Sequence, residues 1–281
     1  MNSESERPMS INPAISVVCP CFNHGRHVRE MLASVHAQTF PDYEVIIVND
    51  GSTDDTRAIL DGLQDEKATV IHTRHRGAPA ARNTAVEAAR ARLILNLDAD
   101  DKIAPSLLEK AFAILNARPD IGIVHSEVQF FGARSGRFEL PDYSLAAMLK
   151  DNVIHSTAFF RKEDWKSAGG YSDELIYGPE DYDFWLSIIE LGRGVCKIPE
   201  DLVFYRTYEK FQACRSGRRK MNRRRIMNAR LTIFRRHEQL FKTCPEAYEL
   251  MLKLKEAWEN EPLAVQWLKQ VWHSFRGIKT G

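Results

Sequence analysis

The sequence predicts an α/β protein built on a mostly parallel, doubly wound sheet with flanking helices, followed by a helical C-terminal extension. Three observations predict it. Between Ile15 and Asp101, short apolar runs alternate with apolar residues at helical spacing, joined by short connections, which is the pattern of right-handed parallel crossovers. Asn23, Asp50, Arg76 and Asp98 each follow an apolar run, at the carboxyl ends of the strands where open α/β sheets bind ligands. Beyond Phe211 strand patterns give way to a basic and then amphipathic stretch.

Ile15-Ser-Val-Val-Cys-Pro reads as the first strand, broken into a loop by Pro20, Asn23, His24 and Gly25. Val28, Met31, Leu32 and Val35 recur at helical spacing, predicting a helix that ends near Thr39. Glu44 to Asn49 forms the second strand, closed by Asp50, and Ser52, Thr53 or Asp54 caps a helix carrying Ile59, Leu60 and Leu63. Ala68 to Thr73 is a third strand. Gly77 supplies a tight bend and Pro79 suits the first turn of the Ala-rich helix that runs to Arg90. The fourth strand, from Leu93, is followed by a helix over Pro105 to Ala117, a strand over Ile121 to Phe131 and a hairpin tip at Gly132 and Gly136. A short helix from Tyr143 to Leu149, a strand from Ile154 to Phe160 and a helical turn over Glu163 to Ala168 come next. Gly178-Pro-Glu-Asp opens a further helix, and a strand over Val195 to Tyr205 completes the pattern.

Three segments follow: a disordered lead over 1–12, a folded domain over 13–210 with halves at about 13–101 and 102–210, and a tail over 211–281. The 281 residues are 44% hydrophobic, enough for a sizeable core, and exclude disordered and fibrous classes. Net charge is +1, but every charged residue between Arg215 and Arg236 is basic. Cys19, Cys21, Cys196, Cys214 and Cys244 are odd in number and scattered, which argues against a disulfide framework or zinc site and fits a reducing cytoplasm. The polar start lacks the apolar core of a signal peptide, and no run reaches membrane-spanning length. The expectation is a cytoplasmic protein, at most peripheral on the inner face of a membrane.

The stretch Leu93 to Asp101, LILNLDADD, organises the rest. An apolar strand with one polar break, Asn96, stops in three acids, Asp98, Asp100 and Asp101. Carboxylates crowded there repel one another, and a divalent cation carrying an anionic ligand resolves the repulsion. The competing reading is that one of these acids caps the next helix. In the first turn of the later helix, Glu180, Asp181 and Asp183 read either as complements of the helix dipole or as proton-transfer groups.

Taken together, VVCPCFNHG, SVHAQTFPDYEVIIVNDGSTDDT, RGAPAARNTAVEAARARLILNLDADD, WKSAGGYSDEL, EDYDFWLSI and the later Phe204-Tyr-Arg resemble the family 2 glycosyltransferases of GT-A fold, over about Ile15 to Tyr208. The resemblance implies an inverting transfer from a nucleotide-sugar donor, typically a UDP-sugar, to a hydroxyl of a glycan or lipid-linked acceptor, as in cell-surface polysaccharide synthesis. It implies that Pro20 and Asn23 border the nucleotide pocket, that Asp50 accepts a hydrogen bond from the base, and that Arg76 serves base or phosphate ahead of His75. It implies that Asp98 contacts ribose and metal, that Asp100 is the principal Mn²⁺ or Mg²⁺ ligand with Asp101 beside it, and that Asp181 is the catalytic base. Glu180 is then the secondary acid and His155 lies where the family lines the acceptor cleft, while Trp165, Tyr171, Tyr177 and Trp185 read as core aromatics, with stacking on sugar rings as the alternative. Arg82 and Asn83 read as residues that tie loops together. Tyr208 stands about where the family often has a metal-proximal histidine.

Arginines interleaved with Ile226, Met227, Leu231, Ile233 and Phe234 give residues 215–236 the composition of an interfacial segment for an anionic membrane surface, but packing of the tail helices on the folded domain or on a second copy is the favoured reading, with membrane docking second and nucleic acid the weakest fit. Two rival functions remain open. A nucleotidyltransferase would show a glycine- and lysine-rich phosphate loop, which Pro20 to Arg26 is not; a non-catalytic nucleotide-sugar binder would have lost the metal acids or the base.

Overall fold

The computed structural model describes residues 12–176, 178–209 and 223–259. Residues 1–11 of the expected lead, Tyr177, the expected boundary near 211, the basic residues from Arg215 to Lys220 and the tail beyond 259 lie outside the described residues. The chain divides into two compact units, one of residues 1–143 with 152–220 and one of residues 144–151 with 221–281.

In the first unit, β1 (Ile15–Cys21), β2 (Tyr43–Asp50), β3 (Ala68–Thr73) and β4 (Leu93–Asn96) lie in the order β3-β2-β1-β4, all parallel. They alternate with α1 (Gly25–His36), α2 (Thr56–Asp61) and α3 (Ala78–Ala88). Strands β1, β2 and β4 are almost wholly buried, as expected of β-branched and aliphatic runs covered on both faces. Helix α1 buries Val28, Met31, Leu32 and Val35, the stripe that its sequence spacing marks out.

The sheet continues in mixed sense. β5 (Lys102–Ile103), α4 (Leu107–Ala117), β6 (Ile121–Gly132), β7 (Gly136–Phe138), β8 (Phe159–Arg161), α6 (Lys162–Ala168), α7 (Glu180–Glu190) and β9 (Gly194–Thr207) complete the unit, while α5 (Leu145–Lys150) belongs to the other. β8 runs antiparallel to both β4 and β6, so it is the splice between the two halves of the sheet. The strand expected from Ile154 is shorter than the sequence suggests, and β5, antiparallel to β9, carries no sequence signal because it pairs only two residues.

In the second unit, α5 joins α8 (Arg223–Arg236), α9 (Glu238–Lys242) and α10 (Pro245–Glu259). Ser144 caps α5, its hydroxyl accepting from the Ala147 amide. The unit has its own apolar core, with Met148, Ile233, Phe241, Ala247 and Leu254 buried, and an edge-on Phe234–Phe241 ring pair at 5.2 Å. Arg230 reaches the Asp151 carboxylate at 2.9 Å. No helix among the described residues is long and apolar enough to cross a membrane.

Candidate active site

The carboxyl ends of β1 to β4 meet one another through side chains that the loops hold in place. Asn23, just past β1, adopts the left-handed region with φ 58°, a conformation that Asn tolerates better than most residues. Its amide donates to Ser52 Oγ at 2.9 Å and its side-chain oxygen accepts the Thr53 amide at 2.8 Å, fastening the β1 loop to the β2 loop. Pro20 is partly buried on β1 beside Val48 of β2.

Asp50 ends β2, with only 2% of its surface exposed. One carboxylate oxygen accepts the Arg76 amide at 2.8 Å and the other the Gly77 amide at 2.8 Å, while His75 Nδ1 stands 2.8 Å from the latter. His75 in turn stacks on Phe22, with ring centroids 4.2 Å apart. Gly77 has φ 94°, and a Cβ there would stand 2.6 Å from Ile176 Cγ2, so only glycine allows the segment before α7 to close on this loop. The Arg76 guanidinium is half exposed and reaches Asp173 at 3.5 Å.

Arg82, on α3, is 3% exposed and distributes its fork over three partners. Nε donates to Asn96 Oδ1 at 3.0 Å, one terminal nitrogen to Asp98 Oδ1 at 2.9 Å, and the other to Glu180 Oε1. Burial opposes its charge, but Asp98 and Glu180 outweigh that and raise its pKa. Asn96, the polar break in the fourth strand, completes the arrangement by donating to the Ser156 carbonyl at 2.9 Å. Asn83 ties Trp165 Nε1 and the backbone of Tyr171. The loop-tying reading of both residues is therefore what the structure contains, and for Arg82 the tie spans the ends of β4 and α7.

Asp181 lies in the first turn of α7, half-buried, with Oδ1 accepting the Tyr182 amide at 2.8 Å and Oδ2 accepting from Asn152 Nδ2 at 3.2 Å. Burial first, and the neighbouring Glu180 charge second, push its pKa up to about 7, against a lowering pull from Arg82. A carboxyl so tuned can take up a proton near neutrality.

The three acids after β4 do not converge. The Asp101 amide donates to the Asp98 carbonyl at 3.1 Å, a turn that rotates the side chains apart. Asp98 faces Arg82; Asp100, 2% exposed, accepts the Tyr208 hydroxyl at 2.6 Å with His24 Nδ1 at 3.8 Å; Asp101, fully buried, accepts the Arg206 amide at 2.8 Å. Asp101 thus links the turn after β4 to β9. Among the described residues no three ligating side chains stand together as a preformed metal cage. Oxygen donors such as Asp100 and Asp98 still fit Mg²⁺ or Mn²⁺, provided phosphate and water complete the shell.

His155 is 7% exposed, its Nδ1 accepts the Thr157 amide at 3.1 Å, and its ring packs edge-on against Tyr205 at 5.3 Å and Phe138 at 5.9 Å. Trp185 and Tyr171 are likewise buried, at 0% and 2% exposure, so they are core rather than sugar platforms. His24, Tyr208 and Asn152 are the site residues that sequence reasoning leaves unassigned; of these only Tyr208 gives a signal, by its position two residues after Arg206. Beside Tyr208 an open cavity of about 400 Å³ is bordered by Arg26, His27 and Arg206. Burial, then Arg206 and Arg26, hold the His27 pKa down to about 4.

With this geometry in view, the chain is similar to known proteins in three ways. The family model described as glycosyl transferase family 2 matches residues 16–165. The Bacillus subtilis protein named putative teichuronic acid biosynthesis glycosyltransferase TuaG is 30% identical over 215 residues, covering 69% of this chain and 79% of that protein. Escherichia coli chondroitin synthase is 28% identical over 186 residues, 64% of this chain, yet the match spans only 27% of the synthase. Among solved structures, S. aureus TarS 1-349 in complex with UDP-GlcNAc superposes with a TM-score of 0.66 at 18% identity, covering 85% of this chain and 71% of that one. The mannosyltransferase PcManGT from Pyrobaculum calidifontis, in complex with GDP-Man and Mn²⁺, gives 0.61 at 20% identity, covering 94% and 81%. At these identities the two structures establish the fold.

Proposed function

Because this chain belongs to glycosyl transferase family 2, we propose that it is an inverting glycosyltransferase that moves a sugar from a UDP-sugar to a hydroxyl of a glycan or lipid-linked acceptor in cell-surface polysaccharide synthesis. The observation that carries this reading is Arg82, whose buried guanidinium joins Asp98 at the end of β4 to Glu180 at the start of α7, beside Asp181. Donor-side acid and base helix are thereby held in one electrostatic unit.

In this reading the nucleotide lies over the carboxyl ends of β1 and β2, with Pro20 and Asn23 at its border. Asp50 takes the base, its carboxylate oriented by the Arg76 and Gly77 amides, and Arg76, half exposed, turns to phosphate or base. Asp98 serves ribose and metal, and Asp100 is the principal ligand of Mn²⁺ or Mg²⁺. A cation there neutralises the charge that develops on the departing diphosphate. Asp181 removes the proton of the acceptor hydroxyl as that oxygen attacks the anomeric carbon, and Asn152 and the Tyr182 amide hold its oxygens for the purpose. Glu180, paired with Arg82, sets the field that keeps Asp181 basic enough near neutrality.

Incubating the protein with a panel of nucleotide sugars and Mn²⁺ tests the reading. Slow release of nucleoside diphosphate from one donor is expected. Formation of a nucleoside triphosphate and a sugar 1-phosphate when pyrophosphate is added, or binding with no turnover in the presence of any hydroxyl acceptor, would overturn it in favour of nucleotidyl transfer or of a binder.

The basic helix is proposed to serve the same chemistry from a cytoplasmic membrane face. α8 carries no acidic residue, and Arg225, Arg235 and Arg236 are exposed on it. Contact with anionic lipid brings a lipid-linked acceptor within reach; pairing with a second copy of the tail is the competing use. Salt-sensitive co-sedimentation with anionic vesicles is the expected outcome, and sedimentation equal to that with neutral vesicles would remove the membrane role.

A further inference from the structure

α5 has six residues, and a helix of that length does not hold itself in water. Its place is set by what it packs on. Met148 joins the core of the second unit, and at the helix C-terminus the Arg230 guanidinium of α8 takes two partners. One is the Lys150 carbonyl at 3.4 Å, a group that a helix end leaves orphaned, and the other is the Asp151 carboxylate at 2.9 Å. Asn152 follows by one peptide bond. Its side-chain oxygen accepts the Ile154 amide at 3.1 Å, which turns its NH₂ group to donate to Asp181 Oδ2 at 3.2 Å. Asp151 belongs to the second unit and Asn152 to the first, so that peptide bond joins an α8 side chain to the carboxylate at the start of α7. As an ion pair the contact contributes little to stability, since Asp151 is 56% exposed. Its value is geometric: it fixes the residue before Asn152.

We propose that Arg230 is a positioning residue for the transfer, holding the end of α5 so that Asn152 meets and orients the Asp181 carboxylate. This role rests on the reading of Asp181 as the base, and it makes the helical unit part of the catalytic apparatus. The charged and titratable groups that act on Asp181 are Glu180 beside it on α7, Arg82 on α3, Asp98 after β4 and the Tyr171 hydroxyl. Asn152 adds a neutral donor to this set. A donor to the charged form favours the carboxylate, so withdrawing Asn152 moves Asp181 toward protonation.

The test is a pH titration of the full chain labelled with ¹³C at the aspartate side-chain carboxyls, followed by nuclear magnetic resonance, with the Asp181 signal assigned from Asp181→Asn. Asn152→Ala is expected to raise the Asp181 midpoint by about one pH unit. Arg230→Ala and Asp151→Ala are each expected to raise it by about half that or more. A through-space effect of charge would instead move the two apart, up for the lost cation and down for the lost anion. Added to Asn152→Ala, Arg230→Ala is expected to contribute no further shift, while Arg230→Lys recovers part of the wild-type midpoint. With a nucleotide sugar that the wild type turns over, Asn152→Ala is expected to lower kcat about 5-fold at pH 7 and leave donor KM within about 2-fold. Should Arg230→Ala fail to fold, Asp151→Ala at its exposed position carries the comparison. Shifts of opposite sign, no shift in either variant, or full additivity with Asn152→Ala would overturn the proposal and leave the reading of Asp181 standing. An Asp181→Asn chain that releases nucleoside diphosphate at the wild-type rate overturns that reading and the proposal together.

Discussion

Replacing Asp181 by Asn is expected to lower kcat by about 10³-fold, within the range for losing a general base, while leaving donor affinity within about 3-fold because the carboxylate acts on the acceptor. Isothermal calorimetry with the donor and a turnover assay separate the two effects. The pH dependence carries a second signature. A base must be unprotonated to act, so the acid limb of kcat/KM should fall near pH 7, where burial and the Glu180 charge have moved Asp181. Glu180→Gln removes the charge that raises it, and the limb is expected to move down by about one to two pH units. Stability follows the opposite course. An acid whose folded pKa exceeds its unfolded value lowers stability progressively as pH rises from the ordinary carboxylate range to about 7, after which the loss is constant. The Asn variant avoids this, so its melting temperature relative to wild type should rise between pH 5 and pH 8.

Arg82→Ala is expected to destabilise the first unit by about 3–5 kcal/mol, the cost of leaving buried charges without their partner. Truncation strands Asn96 Oδ1, Asp98 and Glu180 at once, and the side chain it removes is only 3% exposed. Denaturant titration at pH 7.5 measures the loss. Arg82→Lys keeps the charge but offers no planar fork, so it should recover only part of the stability. In whatever fraction of the alanine variant folds, Asp181 loses the guanidinium that pulls its pKa down, and the acid limb should move up, opposite in sign to Glu180→Gln. A common direction for both substitutions would contradict this electrostatic unit.

The parallel half of the sheet was legible because each of its strands is a local apolar run that ends where the chain turns polar, and each polar terminus, at Asn23, Asp50 and Asp98, falls at the carboxyl edge. The second half was less legible because its pairing is long-range: β8 contributes three residues between β4 and β6, and β9 follows β6 through register shifts. Within the site, sequence showed that Asp98, Asp100 and Asp101 are adjacent but not that a turn sends them to different partners. In α7 it ranked Asp181 ahead of Glu180 and Asp183 by resemblance alone; the fold separates them, burying Asp183 completely, pairing Glu180 with Arg82 and leaving Asp181 half-buried. Asn96 was visible only as an interruption of an apolar run, and its two bonds explain why a buried strand retains an amide there.

The position of β4 between β1 and β8 has a consequence for synthesis on the ribosome. By the time Asp101 is made, the first four strands can pair, yet the outer edge of Leu93 to Asn96 finds its partner only when Phe159 to Arg161 emerge, well after the helix and long strand that intervene. During that interval a nascent chain presents an apolar, unpaired strand edge, the template for misassociation with a neighbouring polysome-borne copy. Fragments terminated between residues 101 and 158 should therefore recruit chaperones and aggregate, whereas chains that extend past Thr207, which also supply the β9 partner of β6, should not.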